Sequence, residues 1–129
     1  MIFTKKQKRI LIIEDNKEAS SLLKDMLQAD GYDIIQSYDG SKGVEMALQE
    51  IPDLIILDVM LPGKDGFSVC SNLKFKFNKT KNIPVIMLTA RHEDISKDKG
   101  FIVGADIYMT KPFDPGEMLA NVKKLINHG

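Results

Sequence analysis

Short, unbroken apolar runs alternate with amphipathic stretches along this chain. Residues 10–13 and 54–57 are two such runs, both rich in β-branched side chains. Runs of this kind are typical of strands that are buried on both faces of a parallel sheet. Between the runs, apolar side chains recur every three or four residues, which is the spacing of one face of a helix. The pattern therefore predicts strands and helices in alternation.

Five strands and five helices account for the whole pattern. The predicted strands cover residues 10–13, 33–38, 54–58, 83–89 and 107–109, and the predicted helices begin near Asn16, Gly40, Gly66, Arg91 and Asp114. The helix over residues 91–104 has the weakest apolar pattern, so we expect it to be the least firmly held. This alternation predicts the α/β class, a three-layer sandwich around a five-stranded parallel sheet with right-handed crossovers.

The first predicted helix has a regular apolar stripe. Asn16 suits its N-cap, and Gly31 suits its end. The stripe consists of Ala19, Leu22, Leu23, Met26 and Leu27. We expect this face to pack on the sheet.

Length and composition limit the architecture and the setting. The 129 residues fit a single domain over residues 1–129, with a basic lead-in over residues 1–8. Because 18 basic and 18 acidic side chains cancel, we expect no direct nucleic-acid binding by this domain and no membrane association. Cys70 is the only cysteine, which excludes an internal disulfide and favours a reducing cytoplasm.

Polar side chains stand where the predicted strands end. Glu14 and Asp15 follow the first strand, Asp58 ends the third, Thr89 ends the fourth, and Lys111 lies just past the fifth. The carboxyl ends of parallel strands meet at one edge of a sheet, so we expect these side chains to converge.

Three carboxylates at one edge need positive charge nearby. Each pair repels by about 4 kcal/mol at roughly 4 Å and an effective dielectric constant near 20. Lys111 supplies one charge, and a hard divalent cation such as Mg²⁺ suits the oxygen ligands. The sequence has no Cys/His cluster with the spacing of a zinc site. An Asp beside Mg²⁺ and a lysine can act as a nucleophile toward a phosphoryl group.

Four motifs, in order, resemble those of the response-regulator receiver domains of two-component signalling, a family that includes chemotaxis regulators. They read IIEDN at residues 12–16, LDVMLPGKDG at 57–66, PVIMLTA at 84–90, and GAD with KPF within 104–113. The resemblance extends from about Arg9 to Ile126. It implies a flavodoxin-like fold with strand order 2-1-3-4-5, and a phosphorylation-controlled signalling switch as the function.

The resemblance also implies roles for the acidic residues. Asp58 would be the phosphoacceptor for a phosphoryl group from the phosphohistidine of a sensor histidine kinase or phosphotransfer protein. Mg²⁺ would be held by Asp15, Asp58 and the backbone carbonyl of Met60, with Glu14 acting through a metal-bound water. The domain would then be no turnover enzyme but a phosphoacceptor that assists its own phosphorylation and dephosphorylation.

Three further residues receive roles from the same resemblance. Lys111 and Thr89 would contact the phosphoryl group, and Thr89 with Tyr108 would form the switch pair. Lys111 and Pro112 match a peptide bond that is cis in the family. The signal would reach the surface around the fourth helix, the fifth strand and the fifth helix, and from there an unknown output domain or target protein. The resemblance leaves room for a phosphorylation-dependent dimer.

Other interpretations of the same residues remain open. A degenerate receiver could act as a protein-binding module without phosphorylation. A haloacid-dehalogenase-type phosphatase is disfavoured because Met60 stands where its second Asp is needed. A flavin-binding module is disfavoured because the acidic loop after the first strand would repel a phosphate. Cys70 is expected to be inert core, and the lysines between residues 74 and 81 a solvated helix end, with a nucleic-acid patch as the minority interpretation.

Overall fold

Five strands and four α-helices are present in the parts of the chain that the structure, a computed structural model, describes, which are residues 7–90 and 104–128. In chain order they are β1 (Arg9–Ile13), α1 (Lys17–Ala29), β2 (Asp33–Ser37), α2 (Gly40–Glu50), β3 (Leu54–Asp58), α3 (Gly66–Ser71), β4 (Val85–Thr89), β5 (Ile107–Thr110) and α4 (Pro115–His128). The predicted helix over residues 91–104 falls outside the described residues except at its last position, and so does most of the predicted lead-in.

The five strands form one parallel sheet in the order β2-β1-β3-β4-β5. The predicted α/β class and the strand order implied by the family resemblance are thus confirmed. Two of the strands with unbroken apolar runs, β1 and β3, lie next to each other in the interior of the sheet. Such runs are needed there because helices cover both faces.

The core is divided by the sheet into two layers. Side chains alternate along each strand, so Leu11, Ile55 and Met87 join the cluster under α2 and α3. Ile12 and Ile86 point the other way, into the cluster under α1 and α4. The sandwich has three layers, as the alternation of elements predicts.

The predicted start of β4 is wrong. β4 begins at Val85 rather than at residue 83, because Pro84 has no N–H to give to the strand ladder. The third helix begins at Gly66, as predicted. Its α-helical part ends at Ser71, and a π-helical turn over Asn72–Lys76 follows.

Two side-chain hydrogen bonds connect this turn to the following loop. The Thr80 hydroxyl of the loop donates to the carbonyl of Leu73 over 2.7 Å, and Lys74 Nζ of the turn donates to the carbonyl of Ile83 over 2.6 Å. The Thr80 bond satisfies a carbonyl at the end of the helix, where the helix offers fewer N–H partners.

Cys70 lies in the layer under α2 and α3 and is fully buried. Burial raises the pKa of its thiol to about 12. The interpretation of Cys70 as inert core agrees with this position. Among the described helices, none combines the length and the apolar character that crossing a membrane requires.

Candidate functional site

Three carboxylates meet at the carboxyl-terminal edge of the sheet. Glu14 and Asp15 directly follow β1, and Asp58 ends the adjacent β3, where Ile13 is in register with Leu57. Carboxylate oxygens of the three acids all lie within 4.8 Å of one another. Glu14 and Asp58 are only 4% and 6% exposed, while Asp15 is exposed. The three acids that the sequence placed at strand ends therefore do converge.

Lys111 bridges the two buried acids. Its Nζ donates to Glu14 Oε1 over 2.7 Å and to Asp58 Oδ2 over 3.0 Å. The position of Lys111 is fixed by its own backbone N–H, which donates to the Thr89 carbonyl at the end of β4 over 2.7 Å. The second carboxylate oxygen of Glu14 accepts the Asn16 N–H at 3.2 Å.

The site carries more negative than positive charge. Burial, reinforced by the hydrogen bond and charge of Asp58, raises the pKa of Glu14 to about 7, although Lys111 opposes the rise. Burial by itself lowers the pKa of Lys111, but its hydrogen bonds to Glu14 and Asp58 outweigh this, so the net shift is upward. Lys111 therefore stays protonated. The electrostatic repulsion in the site is between the two acids, Glu14 and Asp58. A second cation would relieve it.

The end of β3 is held in place by backbone contacts. The Met60 N–H donates to Asp58 Oδ1 over 3.1 Å. The first residue of α3, Gly66, presses on this corner: a Cβ added there would clash with the Asp58 carbonyl oxygen and lie 2.7 Å from Val59 Cα. Only a residue without a side chain permits this approach, so Gly66 helps to set where Asp58 points.

The donor set fits a hard divalent cation. Three carboxylates supply oxygen ligands, and the cluster includes no Cys or His, which suits Mg²⁺ better than zinc. Asp15 is the most accessible of the three acids, and Glu14 and Asp58 already share the Lys111 ammonium. The Met60 N–H donates to Asp58, and the Met60 side chain is exposed to solvent.

Thr89 ends β4 at the same edge as the acids. It is fully buried and is in register with Thr110 of β5. On its other side, β4 is adjacent to β3, and the last residue of β3 is Asp58. Thr89 is thus placed in the row of strand ends that carries the site.

Tyr108 lies one residue into β5, opposite Met87, and packs against the cluster under α2 and α3. Its hydroxyl is buried and has no hydrogen-bond partner within residues 7–90 and 104–128. Burial, with a smaller contribution from Cys70, raises its pKa to about 12. A buried hydroxyl without a hydrogen bond costs free energy. A new hydrogen-bond partner, or a rotamer that exposes the hydroxyl, would lower that cost.

An apolar groove of about 560 Å³ opens beside the site, and the sequence did not reveal it. Glu14 and Lys111 form one end, and the remainder is lined mainly by Leu22, Met26, Pro112, Phe113 and Pro115. Leu22 was predicted to pack on the sheet with the rest of the α1 stripe, but it is 67% exposed. The stripe is wider than the surface the sheet offers, so its outer residue lines the groove instead.

A second contact was also missed. Lys74, expected among solvated lysines, has a side chain only 10% exposed, and its Nζ lies 3.0 Å from Asp106 Oδ2. The same Asp106 oxygen accepts the Val85 N–H at 2.8 Å. The two residues are 32 positions apart, and each has polar neighbours in the sequence. No local pattern therefore indicates that they pair.

Comparison with known proteins places these features in a family. Residues 10–123 match the family model of the response regulator receiver domain. The chain is 51% identical over 118 residues to the DNA-binding dual master transcriptional regulator RpaA of Synechocystis. That match covers 92% of this chain but 48% of RpaA, so the chain spans about half the length of this curated relative.

Solved structures agree. The signal receiver domain of a histidine kinase from Syntrophus aciditrophicus superposes with a TM-score of 0.86 at 33% identity, covering 94% of this chain and 91% of that one. The receiver domain of the sensor histidine kinase PA1611 of Pseudomonas aeruginosa, solved with magnesium coordinated in its active-site cleft, gives 0.86 at 27% identity and covers 95% and 99%. The chain belongs to the response regulator receiver domain family, and it has the flavodoxin-like fold of that family.

Proposed function

We propose that this chain is a phosphorylation-controlled signalling switch in which Asp58 accepts a phosphoryl group from a phosphohistidine. The observation that carries the proposal is the setting of Asp58. Its carboxylate is buried, and two other acids lie beside it. One carboxylate oxygen accepts a hydrogen bond from the Met60 N–H, and the other accepts one from Lys111 Nζ. Family membership supplies the reaction class.

The transfer is a single displacement at phosphorus. An oxygen of Asp58 forms the new P–O bond while the P–N bond to the donor imidazole breaks. The electron pair of the broken bond stays on the imidazole nitrogen, so the donor histidine is regenerated. Lys111, held 3.0 Å from Asp58 Oδ2, is placed to stabilise negative charge on the transferring group. We assign the Thr89 hydroxyl a contact with another phosphoryl oxygen.

Asp15 and Asp58 are the proposed Mg²⁺ ligands, with the Met60 carbonyl as a third and Glu14 acting through water. When bound, Mg²⁺ would supply positive charge that stabilises the negative charge on the phosphoryl oxygens. The crowding of three carboxylates within 4.8 Å supports this assignment. The structure solved with magnesium in the same family gives it a precedent.

The proposed response begins with Thr89 and Tyr108. Phosphorylation adds about −1.5 to −2 charges at Asp58. We propose that Thr89 moves toward this charge and that the Tyr108 ring follows, since its buried hydroxyl lacks a partner within the described residues. The readout surface would then include β5, α4 and the segment over residues 91–103.

The phosphodonor is proposed to be a cytoplasmic sensor histidine kinase or phosphotransfer protein. The groove beside Lys111 supports a protein donor, because its apolar lining reaches up to the reacting groups. The output would lie in another domain or a target protein. RpaA carries DNA binding in its name and is about twice as long as this match. We therefore assign no direct nucleic-acid contact to this domain.

The test is phosphorylation by acetyl phosphate with Mg²⁺, followed by intact-mass measurement. We expect one added phosphoryl group on the native chain, none after treatment in EDTA, and none on Asp58→Asn. The matched control is Asp25→Asn, which alters an exposed acid on α1 and should be phosphorylated like the native chain.

Two results would contradict the proposal. An equal mass gain in Asp58→Asn would place the phosphoryl group elsewhere. No gain in a folded native chain would instead favour the non-phosphorylated binding module. Amide NMR with a beryllofluoride mimic checks the switch separately, since shifts confined to the Asp58 pocket would argue against Tyr108 as its relay.

A further inference from the structure

A second groove lies at the opposite, amino-terminal edge of the sheet. Its volume is about 250 Å³, and it is formed where β1, β3 and β4 begin and α4 ends. We call it the basal groove and define it by Lys8, Ile51, Asp53, Lys79, Pro84 and Ile126. None of these residues belongs to the Asp58 site.

Aliphatic and polar side chains share the lining of the basal groove, and one of the aliphatic residues has an unfavourable backbone conformation. Ile51 caps the end of α2 with φ 43° and ψ 65°, in the left-handed region. This region is unfavourable for a β-branched residue, and Gly or Asn is the usual choice there. The Ile51 side chain is nevertheless 44% exposed. Backbone strain combined with an exposed apolar side chain points to a use for that side chain outside the fold.

Two lysines and one acid supply the charges of the basal groove. Lys8 and Lys79 are exposed and line it. Asp53 also lines it and accepts the Arg9 backbone N–H at 2.8 Å, while the nearby Glu50 pairs with the Arg9 guanidinium at 3.1 Å. The lining therefore carries one more positive than negative charge. Neither lysine makes an ion pair with any acid in the described part of the chain. The basal groove thus offers charges that a ligand could pair.

We propose that the basal groove binds an acidic peptide segment of a partner protein, with an apolar side chain on Ile51 and carboxylates on Lys8 and Lys79. The excess of positive charge favours an anionic ligand, and the aliphatic side chains in the lining favour a peptide that carries apolar residues. A nucleic acid fits less well, because the lining contains no aromatic ring on which a base could stack.

This proposal is independent of phosphorylation at Asp58, since the two sites lie at opposite edges of the sheet. The test is an amide NMR titration of the full chain with a hexapeptide that alternates Asp and Leu. We expect saturable shifts at residues 51–53 and 79–84. A hexapeptide that alternates Lys and Leu should bind at least about tenfold more weakly.

Three variants separate binding from folding. Lys79→Glu should weaken the peptide by about tenfold, whereas Lys42→Glu, which alters an exposed lysine on α2 outside the groove, should not change it. Ile51→Asn should also weaken binding by about tenfold, yet it should raise the melting temperature, because Asn tolerates the left-handed backbone. Opposite signs for binding and stability could not come from a structural role alone.

Several outcomes would overturn the proposal. They are the absence of saturable shifts with millimolar peptide, shifts that lie elsewhere, equal binding of the Lys-Leu peptide, and unchanged binding by Lys79→Glu. Stronger shifts of the same residues by oligo(dT) would assign the groove to nucleic acid instead.

Discussion

At the scale of single residues, the site is governed by how one lysine is shared between two buried acids. Lys111 contacts Glu14 and Asp58, which come from adjacent strands, and it cannot neutralise both. Burial is the main cause that raises the pKa of Glu14 to about 7, and the neighbouring Asp58 adds to the rise, whereas Lys111 opposes it. A carboxyl group whose pKa is raised by folding opposes folding when it ionises.

The pH dependence of stability follows from that shift. The contribution of Glu14 to stability is fully present below its ordinary pKa of 4.5 and is lost as pH rises through about 7. In EDTA, the free energy of unfolding should therefore fall between about pH 5 and pH 8, by on the order of 1 kcal/mol more in the native chain than in Glu14→Gln. Urea titrations at the two pH values measure it. Equal falls in both proteins would contradict this assignment, and saturating Mg²⁺ should shrink the difference.

At the scale of elements, the start of α3 is packed directly on the end of β3. Asp65 caps α3 by accepting the Ser68 N–H at 3.0 Å, and the Gly66 N–H donates to the Val59 carbonyl over 2.8 Å. The loop between the two elements is therefore held at both ends, which gives Asp58 a rigid support.

Gly66→Ala tests this support. The new methyl group would meet the backbone of Asp58 and Val59, so we expect a loss of about 1–3 kcal/mol in the free energy of unfolding, together with slower phosphorylation. Gly116→Ala is the matched control in the first turn of α4, where the added Cβ meets only a cap oxygen of Asp114 at 3.2 Å. There the change should be neutral or stabilising by up to about 1 kcal/mol. Equal destabilisation by both substitutions would show that packing on β3 is unimportant.

At the scale of the whole molecule, the acids and the larger groove share one edge of the sheet. The groove lies between α1 and the loop after β5, and its inner end is formed by Glu14 and Lys111. A protein bound in this groove would contact Glu14 and Lys111, the two residues that lie beside Asp58. A small phosphodonor would need no such seat.

Leu22→Asp separates the two kinds of donor. We expect phosphotransfer from an autophosphorylated histidine kinase to fall by about tenfold or more, because a charge would replace an exposed apolar contact. Acetyl phosphate should label Leu22→Asp at the native rate. Ser21→Asp, an exposed neighbour on α1, is the control and should leave both rates unchanged. Native rates of kinase transfer in Leu22→Asp would remove the groove from the donor interface.

The sequence by itself determined the strands of the sheet and the residue types that stand at their ends. Unbroken apolar runs marked β1 and β3, because only strands covered on both faces need them. A carboxylate at the end of each run indicated the site, since strand ends are where a sheet gives way to solvent. The family motifs then supplied the strand order, which the structure confirms.

Only the tertiary structure decided how residues distant in the chain meet. It placed Lys111 between Glu14 and Asp58, left Leu22 outside the core, and buried Lys74 against Asp106. Apolar periodicity records how a segment faces its own core, but it carries no information on which partner stands opposite or how wide the covered surface is. The identity of the opposite partner and the width of the covered surface depend on distances across the fold. These distances give the strand-end acids a site with a defined charge and shape.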